Sequence, residues 1–218
     1  MIAPARMVFV IDDDPSVRKG LKRLLSAADY ASEGFESAAG FLARPEYPGP
    51  SCLVVDVQMP GLSGIELQET LLRHRRDEQL VFITGHGNVP MCAQAMKAGA
   101  VDFLPKPFKS RELLACVERA LARSEERRHS AAEKKEARRL LDLLTPREFQ
   151  VMHLLTGGML NKQVGAELGL SVKTVKVHRG RVRQKLGVDS IAEIVHLVEK
   201  AGVAPLQGSY AQGPISLA

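Results

Sequence analysis

A chain of 218 residues with 45% hydrophobic and 25% charged residues is long for one ordinary domain, comfortable for two small ones, and apolar enough for at least one core. No apolar run reaches the ~18 residues that a membrane span needs, and the opening MIAPARMVFVIDDD meets acidic residues too early for a secretory signal peptide. Three cysteines (Cys52, Cys92, Cys116) are odd in number and lack CxxC spacing, so they read as reduced core residues of a cytoplasmic protein, without a disulfide or metal role.

In chain order, short apolar strands alternate with amphipathic helices through the first half. Strands are expected at 7–11 (MVFVI), 31–35, 52–55 (CLVV), 80–84 (LVFIT) and 101–104. Helices are expected near 15–28, 37–43, 64–75 and 89–98, with a fifth starting at about Ser110. In the first helix Val17, Leu21, Leu24, Leu25 and Ala28 share one face. This alternation predicts an α/β fold: a doubly wound parallel sheet covered on both faces. From Glu118 to Leu144 the composition turns to Ala, Arg, Glu and Lys without Gly or Pro, which reads as a continuation of the fifth helix or a second helix after a break. Beyond it Thr145-Pro146-Arg147-Glu148 forms a capping box, Gly157-Gly158 ends that helix, and shorter helices follow at about 161–168, 171–186 and 190–200. A second, smaller all-α domain of four helices results. The domain boundaries expected are 5–123, a helical linker at 124–144, 145–202, and a disordered tail at 203–218.

The net charge of +5 is unevenly placed. Lys and Arg against Asp and Glu number 15 to 15 over residues 1–123, 6 to 5 over 124–144, and 9 to 5 over 145–218. A local basic excess suits a polyanion such as DNA, although charge alone fits a solvated basic face equally well.

Two groups of residues carry chemistry. Asp12, Asp13 and Asp14 follow the first strand and Asp56 ends the third. At the carboxyl ends of neighbouring parallel strands these acids would meet, where a hard cation relieves their repulsion and an Asp can attack a phosphoryl donor. Thr84 closes the fourth strand with a hydroxyl, and Lys106 follows the fifth with a fixed positive charge; the Lys106–Pro107 bond is a candidate cis peptide. Each residue alone has a bland reading as turn, cap or solvated side chain; the ordered set VIDDD, VVDVQMPG, FITGHG and DFLPKPF does not. The second group lies on the helix at 172–186. Val175, Val182 and Leu186 fall on one face, with Lys173, Lys176, Val177, Gly180 and Gln184 opposite and Arg181 and Arg183 flanking. Such a helix fits the DNA major groove, and Asn161 and Lys162, opening the preceding helix, are placed for phosphate.

The first set resembles the receiver domain of two-component response regulators over about residues 5–123. That resemblance implies a (βα)5 flavodoxin-like arrangement of the sheet and Asp56 as phosphoacceptor. It implies Mg²⁺ (or Mn²⁺) bound by Asp13 directly, by Asp12 through water, by Asp56 and by the Gln58 backbone carbonyl. It implies Thr84 and Phe103 as a switch pair, Lys106 as the family lysine, and Gln58 and His86 as positions that tune dephosphorylation. Asp14 is an extra acid, read as a helix cap. LTPREFQVM and GGMLNKQVGAELGLSVKTVKVHRGRVRQKLGV resemble the LuxR-type helix-turn-helix, and the pair of domains resembles the NarL/FixJ subfamily, closest to its nitrogen-fixation and aromatic-catabolism branch. By that resemblance Lys176 and Val177 lead the base contacts, with Asn161, Lys162, Lys173, Thr174, Arg179, Arg181 and Arg183 as further DNA contacts. Gly180 departs from relatives that carry a longer polar side chain there, and weakens the helix by about 1 kcal/mol relative to Ala.

The function implied is a transcription regulator, not an enzyme. A sensor histidine kinase would phosphorylate Asp56, the chain would form a homodimer, and the dimer would bind double-stranded promoter DNA and contact RNA polymerase. Two other readings share these residues. The spacing of Asp12 and Asp14 is similar to that of haloacid-dehalogenase phosphatases, which however carry further acids late in the chain where this one has Thr84 and Lys106. A degenerate receiver would leave phosphorylation-independent DNA binding, against which the intact Asp12, Asp13, Asp56, Thr84 and Lys106 set argues.

Overall fold

The computed structural model of the chain describes residues 5–85 and 89–203. In order they form β1 (Met7–Ile11), α1 (Pro15–Ala27), β2 (Ala31–Phe35), α2 (Ala38–Leu42), β3 (Ser51–Asp56), α3 (Gly64–Arg73), β4 (Gln79–Thr84), α4 (Val89–Lys97), β5 (Asp102–Pro105) and α5 (Ser110–Leu141). Then come α6 (Pro146–Thr156), α7 (Asn161–Leu168), α8 (Val172–Leu186) and α9 (Ile191–Ala201). The chain divides into two compact units, residues 1–129 and 130–218.

In the first unit all strand pairs are parallel, in the order β2-β1-β3-β4-β5. β3 and β4 are apolar nearly throughout because both their faces are covered. Phe9, Ile11, Leu53, Val55 and Phe82 pack with Phe41, Leu67, Leu71 and Ala95 of α2, α3 and α4. The alternate residues Val8, Val10, Cys52, Val54, Val81 and Ile83 pack with Leu21 and Leu25 of α1 and Leu113, Val117 and Leu121 of α5. The sheet is therefore doubly wound, as the alternation predicts. β1 lies between β2 and β3, so the chain reverses its direction of winding there, and a crevice forms at the carboxyl ends of β1 and β3.

Glycine decides one contact beside that crevice. A Cβ on Gly64 would stand 2.5 Å from the Asp56 carbonyl oxygen and 3.1 Å from Val57 Cα, so only glycine lets α3 begin so near the end of β3.

Element ends shift by one or two residues from the expected ones. α3 stops at Arg73 because Arg75 adopts a left-handed backbone with φ 54°. β5 starts at Asp102, which pairs with Val81, and runs to Pro105. α5 continues without a break to Leu141, which resolves the two alternatives for the charged segment. Cys52, Cys92 and Cys116 are free thiols, Cys52 and Cys116 buried in the core.

The second unit packs the end of α5 (Ala137, Leu141) with Met152 of α6, Val182 and Leu186 of α8, and Ile194 and Val198 of α9. A smaller cluster joins Val151, Leu154 and Leu155 of α6 to Val164 of α7 and Val175 of α8. Caps set the helices: Thr145 and Glu148 form the capping box of α6, Ser171 caps α8, Ser190 caps α9, and Gly169, Gly187 and Gly202 close their helices in the left-handed region. The α7–α8 turn is tight, since a Cβ on Gly165 would lie 2.7 Å from the Leu170 carbonyl oxygen. Residues 204–218, most of the expected tail, lie outside the described residues, as does His86.

Candidate phosphoryl-acceptor and DNA-binding sites

The parallel register sets Ile11 beside Val55, Asp56 beside Ile83 and Thr84 beside Pro105, so the residues at and just beyond these strand ends converge at one edge of the sheet. Asp12 is fully buried. Its backbone N–H donates to the Phe35 carbonyl at 3.2 Å, its Oδ1 accepts the Asp14 N–H at 2.9 Å, and its Oδ2 accepts from Lys106 Nζ at 2.8 Å. The same Nζ donates to Asp56 Oδ2 at 3.0 Å, while Asp56 Oδ1 accepts from the Gln58 backbone N–H at 3.3 Å. Asp13 is exposed, yet one oxygen each of Asp12, Asp13 and Asp56 lie within 4.8 Å of one another. Asp14 is the N-cap of α1, accepting from Ser16 N–H at 2.7 Å, as expected of an acid outside the cluster.

Burial raises the Asp12 carboxyl above its ordinary value, against the opposing hydrogen bonds from Lys106 and Asp14. Burial alone would lower Lys106, but its bonds to Asp12 and Asp56 outweigh that and raise it, so the ammonium stays charged. Two of the three carboxylates thus share one ammonium, Asp13 stands beside them without it, and an excess of negative charge remains. The donors are all oxygen, which fits a hard divalent cation such as Mg²⁺ or Mn²⁺ and argues against a soft one.

Thr84 is buried at the end of β4, and its carbonyl accepts the Lys106 N–H at 2.7 Å. Phe103 pairs with Phe82 in the sheet and packs against it with ring centroids 6.2 Å apart. Thr84 and Phe103 therefore share the sheet face that carries Phe82. The Lys106–Pro107 peptide is cis.

On α8, Val175, Val182 and Leu186 are buried, while Lys173, Lys176, Val177, Gly180, Arg181 and Gln184 are exposed. The two faces are those that the sequence spacing separates. Val177 is 48% exposed, a large fraction for an apolar side chain among cations. A Cβ on Gly180 would meet nothing within 4 Å, so the fold does not require a glycine there. Thr174 is drawn into the cap of α8, its Oγ1 2.8 Å from Ser171 Oγ. Arg179 is half-buried; Arg183 is too, and stands 3.4 Å from Asp189, which leaves Arg181 the freer of the flanking arginines. Asn161 and Lys162 open α7, with Lys162 exposed.

Two family models match the chain: the response regulator receiver domain over residues 8–118, and the LuxR family of bacterial regulatory proteins over residues 142–198. The chain belongs to the NarL/FixJ-type response regulators. Nodulation protein W of Bradyrhizobium diazoefficiens is 42% identical over 91% of this chain and 87% of its own. The transcriptional regulatory protein FixJ of Azorhizobium caulinodans is 40% identical over 91% of this chain and 94% of its own. Among solved structures, the response regulator StyR covers 90% of this chain and 100% of its own, with 48% identity and a TM-score of 0.81. The regulator is accordingly a DNA-binding transcriptional regulator of a two-component system, and no helix among its described residues is long and apolar enough to cross a membrane.

Sequence reasoning missed two features of this response regulator. Arg18 of α1 donates from Nη1 to the carbonyls of Asp12 at 2.7 Å and Asp13 at 2.9 Å. Glu148, read only as a capping residue, is buried and also accepts from Lys185 Nζ at 2.7 Å. Helical periodicity puts Arg18 among solvated cations and Lys185 among solvated side chains, and only the packed fold brings either to its partner.

Proposed function

We propose that the regulator receives a phosphoryl group on Asp56 from the phosphohistidine of a sensor histidine kinase and then binds promoter DNA through α8 as a homodimer. The observation that carries this reading is the single ammonium of Lys106 bridging Asp12 and Asp56 beside Asp13, at the carboxyl ends of the strands. An Asp56 carboxylate oxygen forms the new P–O bond, the P–N bond breaks, and the imidazole leaves with its electron pair. Asp12, Asp13, Asp56 and the Gln58 carbonyl would hold Mg²⁺ (or Mn²⁺), which when bound offsets the negative charge gathered during transfer. Lys106 then turns from Asp56 Oδ2 to a phosphoryl oxygen, the Thr84 hydroxyl bonds another, and Phe103 moves with it. The phosphoryl group favours one of two pre-existing states of the α4–β5–α5 surface by these contacts. Gln58 and His86 tune the lifetime of the acyl phosphate. The regulator works in the cytoplasm, with 5–123 as receiver, 124–144 as linker and 145–202 as DNA reader, and it meets RNA polymerase at the promoter.

Labelled acetyl phosphate with Mg²⁺ tests the acceptor. Wild type should take up a base-labile, acid-stable label and Asp56→Asn none; equal labelling of the two would remove Asp56 from its role. For the reader, Lys176, Val177 and Lys173 face outward for base edges, with Thr174, Arg179, Arg181, Arg183, Asn161 and Lys162 toward the backbone. Lys176→Ala should cost about 1–3 kcal/mol of discrimination between a selected and a random duplex. Arg181→Ala should weaken both duplexes alike and lower the salt slope by about 1. Identical effects from the two substitutions would mean that the faces are wrongly assigned.

A further inference from the structure

The turn that carries the acidic cluster is held unevenly. Asp12 is fixed by Lys106, by the Asp14 N–H and by the Phe35 carbonyl, and Asp14 is fixed by Ser16. The Asp13 carboxylate, exposed and central to the cluster, accepts no hydrogen bond from the protein among the described residues. Its position is therefore set by its backbone alone. That backbone has one side-chain clamp: Nη1 of Arg18 donates to the carbonyls of both Asp12 and Asp13. From the first turn of α1 the guanidinium reaches back six and five residues and spans the two peptide units that orient the acid pair.

The stem of the arginine runs beside the sheet. β2 is one of the two edge strands, and Gly34 lies in it beside Val10 of β1, on the face covered by α1. A Cβ built on Gly34 would meet Lys22 Cδ at 3.4 Å and Arg18 Cδ and Cβ at 3.7 and 3.9 Å. These are ordinary van der Waals distances, so the Arg18 stem lies along the strand without requiring a glycine there, next to Phe35, whose carbonyl accepts from the Asp12 N–H.

We infer that Arg18 is a positioning residue for the divalent-cation site: it clamps the Asp12–Asp13 backbone so that the free Asp13 carboxylate stays within reach of Asp12 and Asp56. This rests on the reading of the cluster as a Mg²⁺ site. Arg18 touches neither phosphate nor cation in this scheme. Its charge alone would act the other way, since a guanidinium near the cluster repels a cation. The direction of the change on removing Arg18 therefore separates a clamp from a field.

The test is calorimetric titration of Mg²⁺ into the full-length regulator. Removing a group that orients metal ligands costs about tenfold or more in affinity, and Arg18→Gln should lose that much. Arg18→Lys, which keeps a donor able to reach a carbonyl, should fall between Gln and wild type. At saturating Mg²⁺ the rate of Asp56 labelling by acetyl phosphate should return to near the wild-type value in Arg18→Gln, which a general loss of structure would not allow. Equal or tighter Mg²⁺ binding by Arg18→Gln overturns the proposal. If wild type binds no Mg²⁺, the reading of the cluster fails and the proposal with it. If Asp13→Asn abolishes binding while Arg18→Gln leaves it unchanged, the cluster reading stands and only the clamp is lost.

Discussion

Lys106→Met is expected to lower the unfolding free energy of the sheet-containing unit by about 2–3 kcal/mol at neutral pH in the presence of a chelator, and by much less in saturating Mg²⁺. The Asp12 side chain is 1% exposed, that of Asp56 13% and that of Lys106 25%. Removing one partner of a buried ion pair costs about 3–5 kcal/mol, because the other charge stays buried and unpaired; the partial exposure of Lys106 reduces that figure. Without the ammonium two carboxylates face each other, and burial already raises Asp12 in the wild type. A carboxyl whose folded value stands above its unfolded one destabilises the fold at neutral pH, and the penalty fades as pH falls through the folded value. The variant should therefore gain stability relative to wild type on mild acidification, as Asp12 takes up a proton. Mg²⁺ should relieve the same repulsion through mass action on the folded state alone. Urea unfolding followed by far-ultraviolet circular dichroism, with chelator and with Mg²⁺, measures both effects. Equal stabilities of variant and wild type in chelator would mean that the bridge does not hold the site together.

The same cluster shows what the sequence makes legible and where it stops. Asp12, Asp13, Asp56, Thr84 and Lys106 could be placed together because each ends or directly follows an apolar run, and parallel strands align such ends at one edge. The uninterrupted apolar runs MVFVI and CLVV likewise announce two covered faces, and the structure divides alternate residues of each between its two clusters. Arg18 could not be found this way, since its partners are main-chain carbonyls rather than a matching charge. Nor could the continuity of α5: its sequence has no Gly or Pro to end the helix, yet Ser130-Ala131-Ala132-Glu133 has the spacing of a capping box that could start another, so both outcomes stayed open. On α8 the spacing gave the correct faces but treated the flanking arginines as equivalent. Asp189 just past the helix engages Arg183 and leaves Arg181 exposed, a distinction that arises only where the chain turns at Gly187.

Glu148 supplies the second large effect, and it bears on how the reading helix is held. Its side chain is 4% exposed, and Oε2 accepts from Lys185 Nζ at 2.7 Å and from the Thr145 N–H at 2.9 Å. Lys185, in the last turn of α8, also donates to the Leu143 carbonyl at 3.0 Å. One carboxylate thus closes the first turn of α6 and ties the end of α8 to it. The Lys185 ammonium foremost, then the Thr145 N–H, hold the Glu148 carboxyl well below its ordinary value, at about 2. A carboxyl depressed on folding contributes stability that is complete above its unfolded value and is lost as pH falls through its folded value. The window runs from about pH 5 down to about pH 2, and with Lys185 partly exposed the contribution is about 2–3 kcal/mol. Glu148→Gln keeps an acceptor for the capping box but faces Lys185 with a neutral amide. It should therefore lower the stability of the second unit by a similar amount at pH 7 and by progressively less toward pH 2. Hydrogen bonds from Ser190 and the Asp189 N–H also lower the Glu193 carboxyl at the start of α9, so the difference between wild type and variant is the quantity to follow. Converging stability curves place the pair in the framework that presents α8. Curves that stay parallel across the window would show that Glu148 keeps its proton affinity on folding, and that its pairing with Lys185 does not hold α8.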